Sequence, residues 1–328
     1  MNDWRPRATL EALKLRARML ADIRTFFFER GVLEVETSYL SGAATTDPAL
    51  ASFATHYTGP LYPRGHTLYL HTSPEFPMKR LLAAGSGSIY QVCKVFRQGE
   101  SGRLHNPEFT LLEWYRTGFD HRALMDEVEA LVRRALGGAV SLAETQRISY
   151  REVFEKHTGL DPHVASAADF ARAALALGIH APTSLDSEGD EDIWRDLLLT
   201  HVIEPQLGQG RLSFLYDYPA SQASLARIRA GNPPVAERFE LYLQGIELAN
   251  GFHELADSKE LRARFERQLH DRARVGQPDV PMDEYLLGAL QHGLPDCAGV
   301  ALGLDRLVML AVGAQCIQET LAFPIDRA

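Results

Sequence analysis

The chain has 328 residues, of which 45% are hydrophobic and 23% are charged, a composition that excludes disordered and fibrous proteins. Its net charge of -9 provides no overall field that would attract nucleic acid. Three widely spaced cysteines predict neither a disulfide framework nor a zinc site, and no apolar run suits a signal peptide or a membrane span, so the chain is predicted to be cytoplasmic, without a membrane partner.

A helix followed by a strand is predicted at the start of the chain. Apolar residues recur with helical spacing over residues 10–30, and Gly31 stands where the helix should end. Residues 32–37 then alternate apolar and acidic side chains, the pattern of a half-buried strand.

The next predicted elements are a strand at residues 68–72 after a long loop, and a helix that begins at Pro74. Two further strands, 89–97 and 108–116, flank the polar, glycine-containing stretch QGESGRLHNP and predict a hairpin with a long functional loop.

The second half of the chain has a less patterned part followed by clear elements. Residues from about 137 to 212 are predicted to form a helical insertion. Later elements are strands at 213–219 and 238–252, helices at 258–275 and 282–292, and a closing apolar segment at 299–313. Because strands often follow one another without an intervening helix, the sequence predicts an α+β fold with an antiparallel β-sheet flanked by helices.

Three segments carry the chemistry: VFRQGESGRLHNPEFTLLEWY, ERFELYLQGIELANGFHEL and GVALGLDRLVML. They resemble the second motif, the acidic metal-binding strands and the third motif of class II aminoacyl-tRNA synthetases of the lysyl subgroup. GVLEVETSYL resembles the first motif, with Ser38 where the family usually has proline, and implies a homodimer. The resemblance runs from about Leu10 to Ala328 and implies a single catalytic domain, 1–328, with the insertion at about 137–212 and no anticodon-binding domain.

Members of this family activate an amino acid by attack of its carboxylate on the α-phosphorus of ATP, which requires positioning and cationic stabilisation. The resemblance assigns Arg97 and Arg306 as catalytic residues, Arg97 on the α-phosphate and the reacting carboxylate, Arg306 on the γ-phosphate. Gly303, just before Arg306, lets the backbone approach the nucleotide.

The adenine side of the ATP site falls in the long hairpin loop. Asn106 and Phe109 resemble the residues that read and stack on adenine, and His105 lies among them; the alternative for Phe109 is a packing role in the core. Gly99 stands where the family commonly has glutamate, and Glu100 is a candidate to replace it after a shift of one residue.

A magnesium site is expected in the acidic strands. Glu240 and Glu247 supply the oxygen ligands that Mg²⁺ prefers. The resemblance places Glu247 and the adjacent Leu248 against the nucleotide as well. The histidines show no spacing typical of metal ligands, so zinc is not expected.

The amino-acid pocket is predicted to bind an ammonium group. Glu113 and Tyr115 share one face of a strand by alternation, and with Glu254 they resemble the lysyl-type pocket. Paired carboxylates and a phenol suit a buried cation.

The reacting end of the substrate is assigned to a second group of residues. Ser73, Pro74 and Glu75, in TSPE, resemble the residues that hold the substrate's amino group, and Asn250 is assigned to the substrate as well. Lysyl synthetases commonly have alanine in place of Ser73, and Ala301 adds a methyl where they have glycine. Both differences imply that the amino group at the reacting end of the substrate is displaced relative to that of α-lysine, as it is in (R)-β-lysine.

Together these motifs resemble the ligases that attach lysine to elongation factor P. The resemblance implies ATP and Mg²⁺ as cofactors, lysine or β-lysine as substrate, and a lysine side chain of elongation factor P as acceptor, without tRNA. Two alternatives stay open: a shortened synthetase that charges tRNA, and a regulatory binding protein that has lost catalysis.

Overall fold

The structure is a computed structural model that describes residues 4–180 and 191–328. Its α-helices are α1 (Leu10–Phe28), α2 (Glu75–Ala83), α3 (His121–Leu136), α4 (Tyr150–Thr158), α5 (Ala167–Ala176), α6 (Glu191–Leu198), α7 (Ser258–Arg274), α8 (Glu284–His292) and α9 (Leu304–Val312). Its strands are β1 (Leu33–Glu34), β2 (Leu40–Ser41), β3 (Ala54–Gly59), β4 (Tyr62–Leu70), β5 (Ile89–Phe96), β6 (Glu108–Thr117), β7 (Gln146–Ser149), β8 (Ser213–Pro219), β9 (Ile228–Arg229), β10 (Val235–Leu243), β11 (Ile246–His253) and β12 (Cys297–Gly303). None of the helices in these two ranges combines the length and the apolar character needed to cross a bilayer.

The chain folds into two compact units. Unit 1 comprises Met1–Phe119, Ala130–Val140 and Ala256–Ala328, and unit 2 comprises Asp120–Glu129 and Ser141–Leu255. The predicted insertion, about 137–212, falls mostly in unit 2, and its residues 181–190 lie outside the described ranges.

The central strands of unit 1 pair in the order β1-β5-β6-β12. The β5–β6 and β6–β12 pairs are antiparallel, with Val92 opposite Leu112 and Val300 opposite Trp114, whereas β1 pairs with β5 in parallel. A second, three-stranded sheet has the order β2-β4-β3. The long loop of the β5–β6 hairpin thus projects from the middle of this unit.

Helix α1 supplies much of the apolar packing of unit 1. The Thr9 hydroxyl caps its N-terminus by accepting from the backbone N–H of Ala12 at 3.1 Å. Phe27 is fully buried and stacks on Tyr90 of β5 with ring centroids 4.3 Å apart, and its ring meets Trp114 of β6 edge-on at 5.5 Å. The aromatic cluster holds α1 against the strands that carry the candidate site.

A buried carboxylate joins three elements of unit 1. Asp305, in the first turn of α9, is 1% exposed. Its Oδ2 accepts from the backbone N–H of Thr110 on β6 at 2.7 Å, and its Oδ1 forms an ion pair with the guanidinium of Arg16 on α1. Asp305 therefore fixes α9 relative to β6 and α1.

Unit 2 is built on strands in the order β11-β10-β8-β7, with β9 pairing with β10. The β10–β11 and β8–β10 pairs are antiparallel and β7–β8 is parallel. Helices α4, α5 and α6 contribute Tyr150, Phe154, Phe170, Trp194 and Leu198 to a single buried apolar cluster. Part of the predicted insertion therefore forms the core of this unit.

The expected α+β class is confirmed, because antiparallel pairs dominate both units, but three expected elements were wrong in detail. The strand expected at 32–37 is only Leu33–Glu34. The loop expected before 68–72 contains the β3–β4 hairpin; β3 is almost wholly exposed, so it lacks the apolar alternation that reveals a strand. Pro74 is the N-cap of α2 rather than its first residue.

Replacing Asp305 by alanine leaves a guanidinium and a buried N–H without their acceptor. We expect a loss of about 3–5 kcal/mol in the free energy of unfolding, measured by urea denaturation. Glu284→Ala, which removes a solvent-exposed ion pair with Arg262, is the matched control and should leave the transition unchanged. Equal midpoints for the two variants would contradict the structural role of Asp305.

Candidate active site

Arg97 follows β5 directly and is held on three sides within unit 1. Its Nε donates to the carbonyl of Thr72 at 3.3 Å, its guanidinium lies 5.0 Å from the ring centroid of Phe109, and its Nη1 is 3.5 Å from Glu100 Oε1. The side chain remains partly exposed. A planar cation fixed in this way can bind a phosphate or carboxylate through its free edge.

The backbone at Gly99 accounts for the departure from the family pattern. Gly99 has φ +85°, a left-handed conformation that side chains rarely adopt, and a Cβ built there meets no atom within 4 Å. The backbone conformation, rather than lack of space, therefore favours glycine. Glu100, the next residue, contacts Arg97, and its replacement of the usual glutamate stays a prediction.

Arg306 brings the third motif to the hairpin loop. It lies in the first turn of α9, after the N-cap Gly303, and its Nη2 is 2.9 Å from His105 Nε2 while its Nε donates to the carbonyl of Leu104 at 3.4 Å. Partial burial of the imidazole, followed by the positive charge of Arg306, lowers the pKa of His105. A neutral ring can accept the hydrogen bond from Arg306.

Asn106 and Phe109, predicted to contact adenine, both have structural partners. The Nδ2 of Asn106 donates to the carbonyl of Glu108 at 2.6 Å, and its Oδ1 accepts from the backbone N–H of Ile325 at 3.2 Å. Phe109 packs against a cluster of Cys93, Val95 and Leu111 while its ring lies near Arg97. Phe109 is thus partly buried against this cluster, and both its adenine role and its packing role stay predictions.

A buried carboxylate lies farther along the same face of β6. Glu113 is 2% exposed, and its two oxygens accept from Ser73 Oγ and from Tyr115 OH, each at 2.7 Å. Burial raises the pKa of Glu113, and the negative charge of Glu75 raises it further. The structure therefore brings Ser73 to the carboxylate predicted to bind the ammonium, although the sequence hypothesis placed Ser73 at the reacting end.

Sequence reasoning missed a buried cation beside these residues. Lys79 on α2 is 2% exposed, and its Nζ donates to Glu75 Oε1 at 2.6 Å. Ser73 Oγ accepts from the backbone N–H of Glu75 at 3.0 Å, next to Pro74, so TSPE forms a compact N-terminal turn. The spacing of four residues between Glu75 and Lys79 in a predicted helix was the available signal.

Ala301 lies directly opposite Glu113 in the β6–β12 register. Opposed residues of an antiparallel pair project on the same face with Cβ atoms about 4.5–5.5 Å apart. Ala301 also packs against the Cys93, Val95 and Leu111 cluster. Its methyl group therefore borders the buried carboxylate.

The remaining predicted residues belong to unit 2. Glu240 on β10 is buried; its oxygens accept from Arg238 Nη2 and from Tyr242 OH, each at 2.5 Å. Asn250, opposite Glu240 on β11, accepts from Arg238 Nε at 3.2 Å. Sequence reasoning missed Arg238, although its position two residues before Glu240 places both on one face of a strand.

Glu247, Leu248 and Glu254 complete the predicted set in unit 2. Glu247 is half-buried opposite Tyr242, Leu248 is buried, and Glu254 is buried beside Ala226, with which it forms a β-bridge. Carboxylate oxygens of Glu240 and Glu247, on adjacent strands, have the donor chemistry that Mg²⁺ requires.

Comparison with known proteins identifies the class. The family model for class II tRNA synthetases (D, K and N) matches residues 1–327, and the chain belongs to this family.

Within the class, the chain is similar to curated proteins of one kind. It is 50% identical over 328 residues to the elongation factor P--(R)-beta-lysine ligase of Edwardsiella ictaluri, covering 100% of this chain and 99% of that protein. The ligase of the same name from Vibrio cholerae is also 50% identical, over 327 residues, and the match covers 100% of this chain and 99% of that protein. The Yersinia enterocolitica ligase is 50% identical over 325 residues, and the match covers 99% of this chain and 98% of that protein.

The raised pKa of Glu113 gives a direct spectroscopic prediction. An ordinary glutamate has a pKa near 4.3 and is ionised at about pH 6, whereas a raised pKa keeps the proton bound. Infrared titration of the ligand-free protein should show a protonated carboxyl band at about pH 6 that Glu113→Gln removes. Glu108→Gln, on an exposed residue of the same strand, should leave the band unchanged. A band indifferent to Glu113→Gln would show that Glu113 is ionised.

Proposed function

We propose that this protein activates (R)-β-lysine with ATP and Mg²⁺ as an aminoacyl adenylate and transfers it to a lysine side chain of elongation factor P. The observation that carries the proposal is the 50% identity, over the full length of both chains, to ligases that bear this name. The proposed acceptor, the cytoplasmic location and a homodimeric state rest on the relatives and on the motifs.

In the first step, a carboxylate oxygen of the amino acid attacks the α-phosphorus of ATP, and the bond to the β,γ-phosphates breaks, releasing pyrophosphate. Arg97, whose guanidinium is fixed by Thr72 and Phe109, is proposed to neutralise the charge that develops on the α-phosphate. Arg306 is proposed to bind the γ-phosphate. Mg²⁺, held by Glu240 and Glu247, supplies charge neutralisation on the phosphates when bound.

In the second step, the neutral side-chain amine of the acceptor lysine attacks the carbonyl carbon of the adenylate. The carbon–oxygen bond to AMP breaks, an amide forms, and the amine's proton is lost to solvent. The proposed roles of the protein are to orient the adenylate and to exclude water from the carbonyl.

The chemistry around Glu113 supports a cationic substrate. A carboxylate that is buried with its oxygens already bonded to two hydroxyls gains most from a ligand that brings a positive charge. Release of the proton held by Glu113 would accompany ammonium binding. We propose that Tyr115 and Glu254 complete this recognition, that Glu75 and Asn250 bind the rest of the amino acid, and that Ser73 and Ala301 distinguish β-lysine from α-lysine.

Parallel labelling of two acceptors tests the proposed function. Purified elongation factor P and bulk tRNA are incubated separately with the enzyme, ATP, Mg²⁺ and radiolabelled α- or β-lysine. We expect labelled factor, blank tRNA and preference for β-lysine, with Arg97→Ala as the control for contaminating activity. Labelled tRNA with blank factor would make the protein a synthetase, and absent ATP–pyrophosphate exchange with every lysine isomer would make it a binding paralogue.

The methyl group of Ala301 provides a test of isomer specificity. Ala301→Gly should improve activation of α-lysine relative to β-lysine by about 1–3 kcal/mol, because it removes one methyl from the pocket wall. The measurement is kcat/KM for pyrophosphate exchange with each isomer. Ala298→Gly makes the same change on the opposite face of β12 and serves as the control. An unchanged ratio in Ala301→Gly would exclude Ala301 as the discriminating residue.

A further inference from the structure

Unit 2 contains a second cluster of charged and imidazole side chains that the proposed reaction does not use. His121, at the start of α3, meets Glu237 of β10 and His253 of β11, and one nitrogen or oxygen from each lies within 4.8 Å of the others. The two imidazole rings are nearly parallel, with centroids 6.4 Å apart. His253 Nδ1 is 2.6 Å from Glu237 Oε2.

This cluster lies on the opposite face of the strands from the proposed magnesium ligand. The register pairs Arg238 with Phe252, so Glu237 and His253 are the next opposed pair. Successive residues of a strand alternate between faces, so Glu237 projects away from the face that carries Arg238 and Glu240. The two groups of side chains are therefore separate.

Arg229 binds one oxygen of each of two carboxylates, those of Asp217 and Glu237, and these are called the outer oxygens. Arg229 donates from Nη2 to Asp217 Oδ2 at 2.6 Å and from Nη1 to Glu237 Oε1 at 3.4 Å. The other oxygen of each carboxylate faces a histidine: Asp217 Oδ1 is 3.7 Å from His121 Nε2, and Glu237 Oε2 contacts His253. The two imidazoles and Glu237 thus form one compact group, and Asp217 approaches it at His121.

His121 is the unsatisfied member of the cluster. It is 2% exposed, and neither ring nitrogen has a hydrogen-bond partner among the residues that the structure describes. Asp217 Oδ1 is likewise buried without one. Buried polar atoms are nearly always satisfied, and an exception signals a bound water or ion. Asp217 Oδ1, 3.7 Å from His121 Nε2, is too distant for a hydrogen bond but is a suitable second ligand for a shared cation.

We propose that His121, His253, Glu237 and Asp217 bind a structural divalent transition-metal ion, with Zn²⁺ as the ion that best fits the donors. Two imidazoles and carboxylate oxygens are suitable ligands for zinc, which holds them at about 2.0–2.2 Å and therefore roughly 3.3 Å from one another. Arg229, on the outer oxygens, orients the carboxylates as outer-sphere partners commonly do.

The charges are compatible with a bound dication. The two negative charges of Asp217 and Glu237 balance the two positive charges of the ion. The side chains of Arg229 and Arg122 are 40% and 52% exposed, so water screens their repulsion of the ion. Binding would replace the contact between His253 and Glu237 with two bonds to the metal and release any proton held between them. The ion would tie the first turn of α3 to β10 and β11.

Metal binding to the full-length protein tests this site without reference to catalysis. Protein stripped with EDTA is dialysed against a small molar excess of Zn²⁺ over protein in the presence of excess Mg²⁺, and bound zinc is measured by mass spectrometry and calorimetry. We expect one zinc per chain and at least tenfold weaker binding in His121→Asn and in His253→Asn. His292→Asn, at an exposed histidine, and Glu240→Gln, at the proposed magnesium site, should bind zinc as the native protein does.

A second measurement covers the case in which a histidine variant fails to fold. Co²⁺ bound to the native protein should give the intense visible bands of a four-coordinate ion and two paramagnetically shifted imidazole N–H signals in the proton NMR spectrum. Absence of stoichiometric zinc, absence of the imidazole signals, or unchanged affinity in folded His121→Asn and His253→Asn would overturn the proposal. Loss of zinc binding in Glu240→Gln, with normal binding in the histidine variants, would place the zinc at the strand face that carries Glu240 and would also overturn the proposal.

Discussion

The carboxylate of Glu113 imposes the central constraint on unit 1, because a buried negative charge must be paired with a cation or neutralised by a proton. The neighbouring side chains meet this constraint in part. Ser73 and Tyr115 donate to its oxygens, while the ammonium of Lys79 goes to Glu75 instead. The raised pKa keeps a proton on Glu113 in the ligand-free protein, and we propose that the substrate ammonium replaces this proton.

One strand face carries both ends of the proposed reaction. Phe109, beside Arg97, and Glu113 are four residues apart on β6, which corresponds to about 14 Å along the strand. Arg97 and Arg306 lie at the first end, with Glu100 beside Arg97, and the carboxylates of Glu113 and Glu75 lie at the second, where Lys79 pairs with Glu75. This polarity is complementary to an amino acid joined to a nucleotide, with its phosphate at one end and its ammonium at the other.

The sequence was sufficient for the class of fold, whereas the roles of the site residues stay predictions. Strand alternation placed Glu113 with Tyr115, and the structure joins their side chains. Arg97 and Arg306 were assigned by resemblance to the family's motifs. The β3–β4 hairpin was missed because its first strand is exposed and shows no apolar alternation. The buried ammonium of Lys79 was missed because the spacing of residues along a helix does not show how deeply a side chain is buried. His121 and His253 are far apart in the chain, so only the packing of α3 on the strands brings them together.

The left-handed backbone at Gly99 has a consequence for how this loop changes in evolution. A glutamate placed at that position would have to adopt a strained conformation, so reinstating the usual side chain requires the turn itself to be rebuilt. The turn therefore restricts which residues position 99 accepts, while the carboxylate that contacts Arg97 comes from position 100. Pattern searches that demand glutamate two residues after the arginine would overlook chains with this alternative turn.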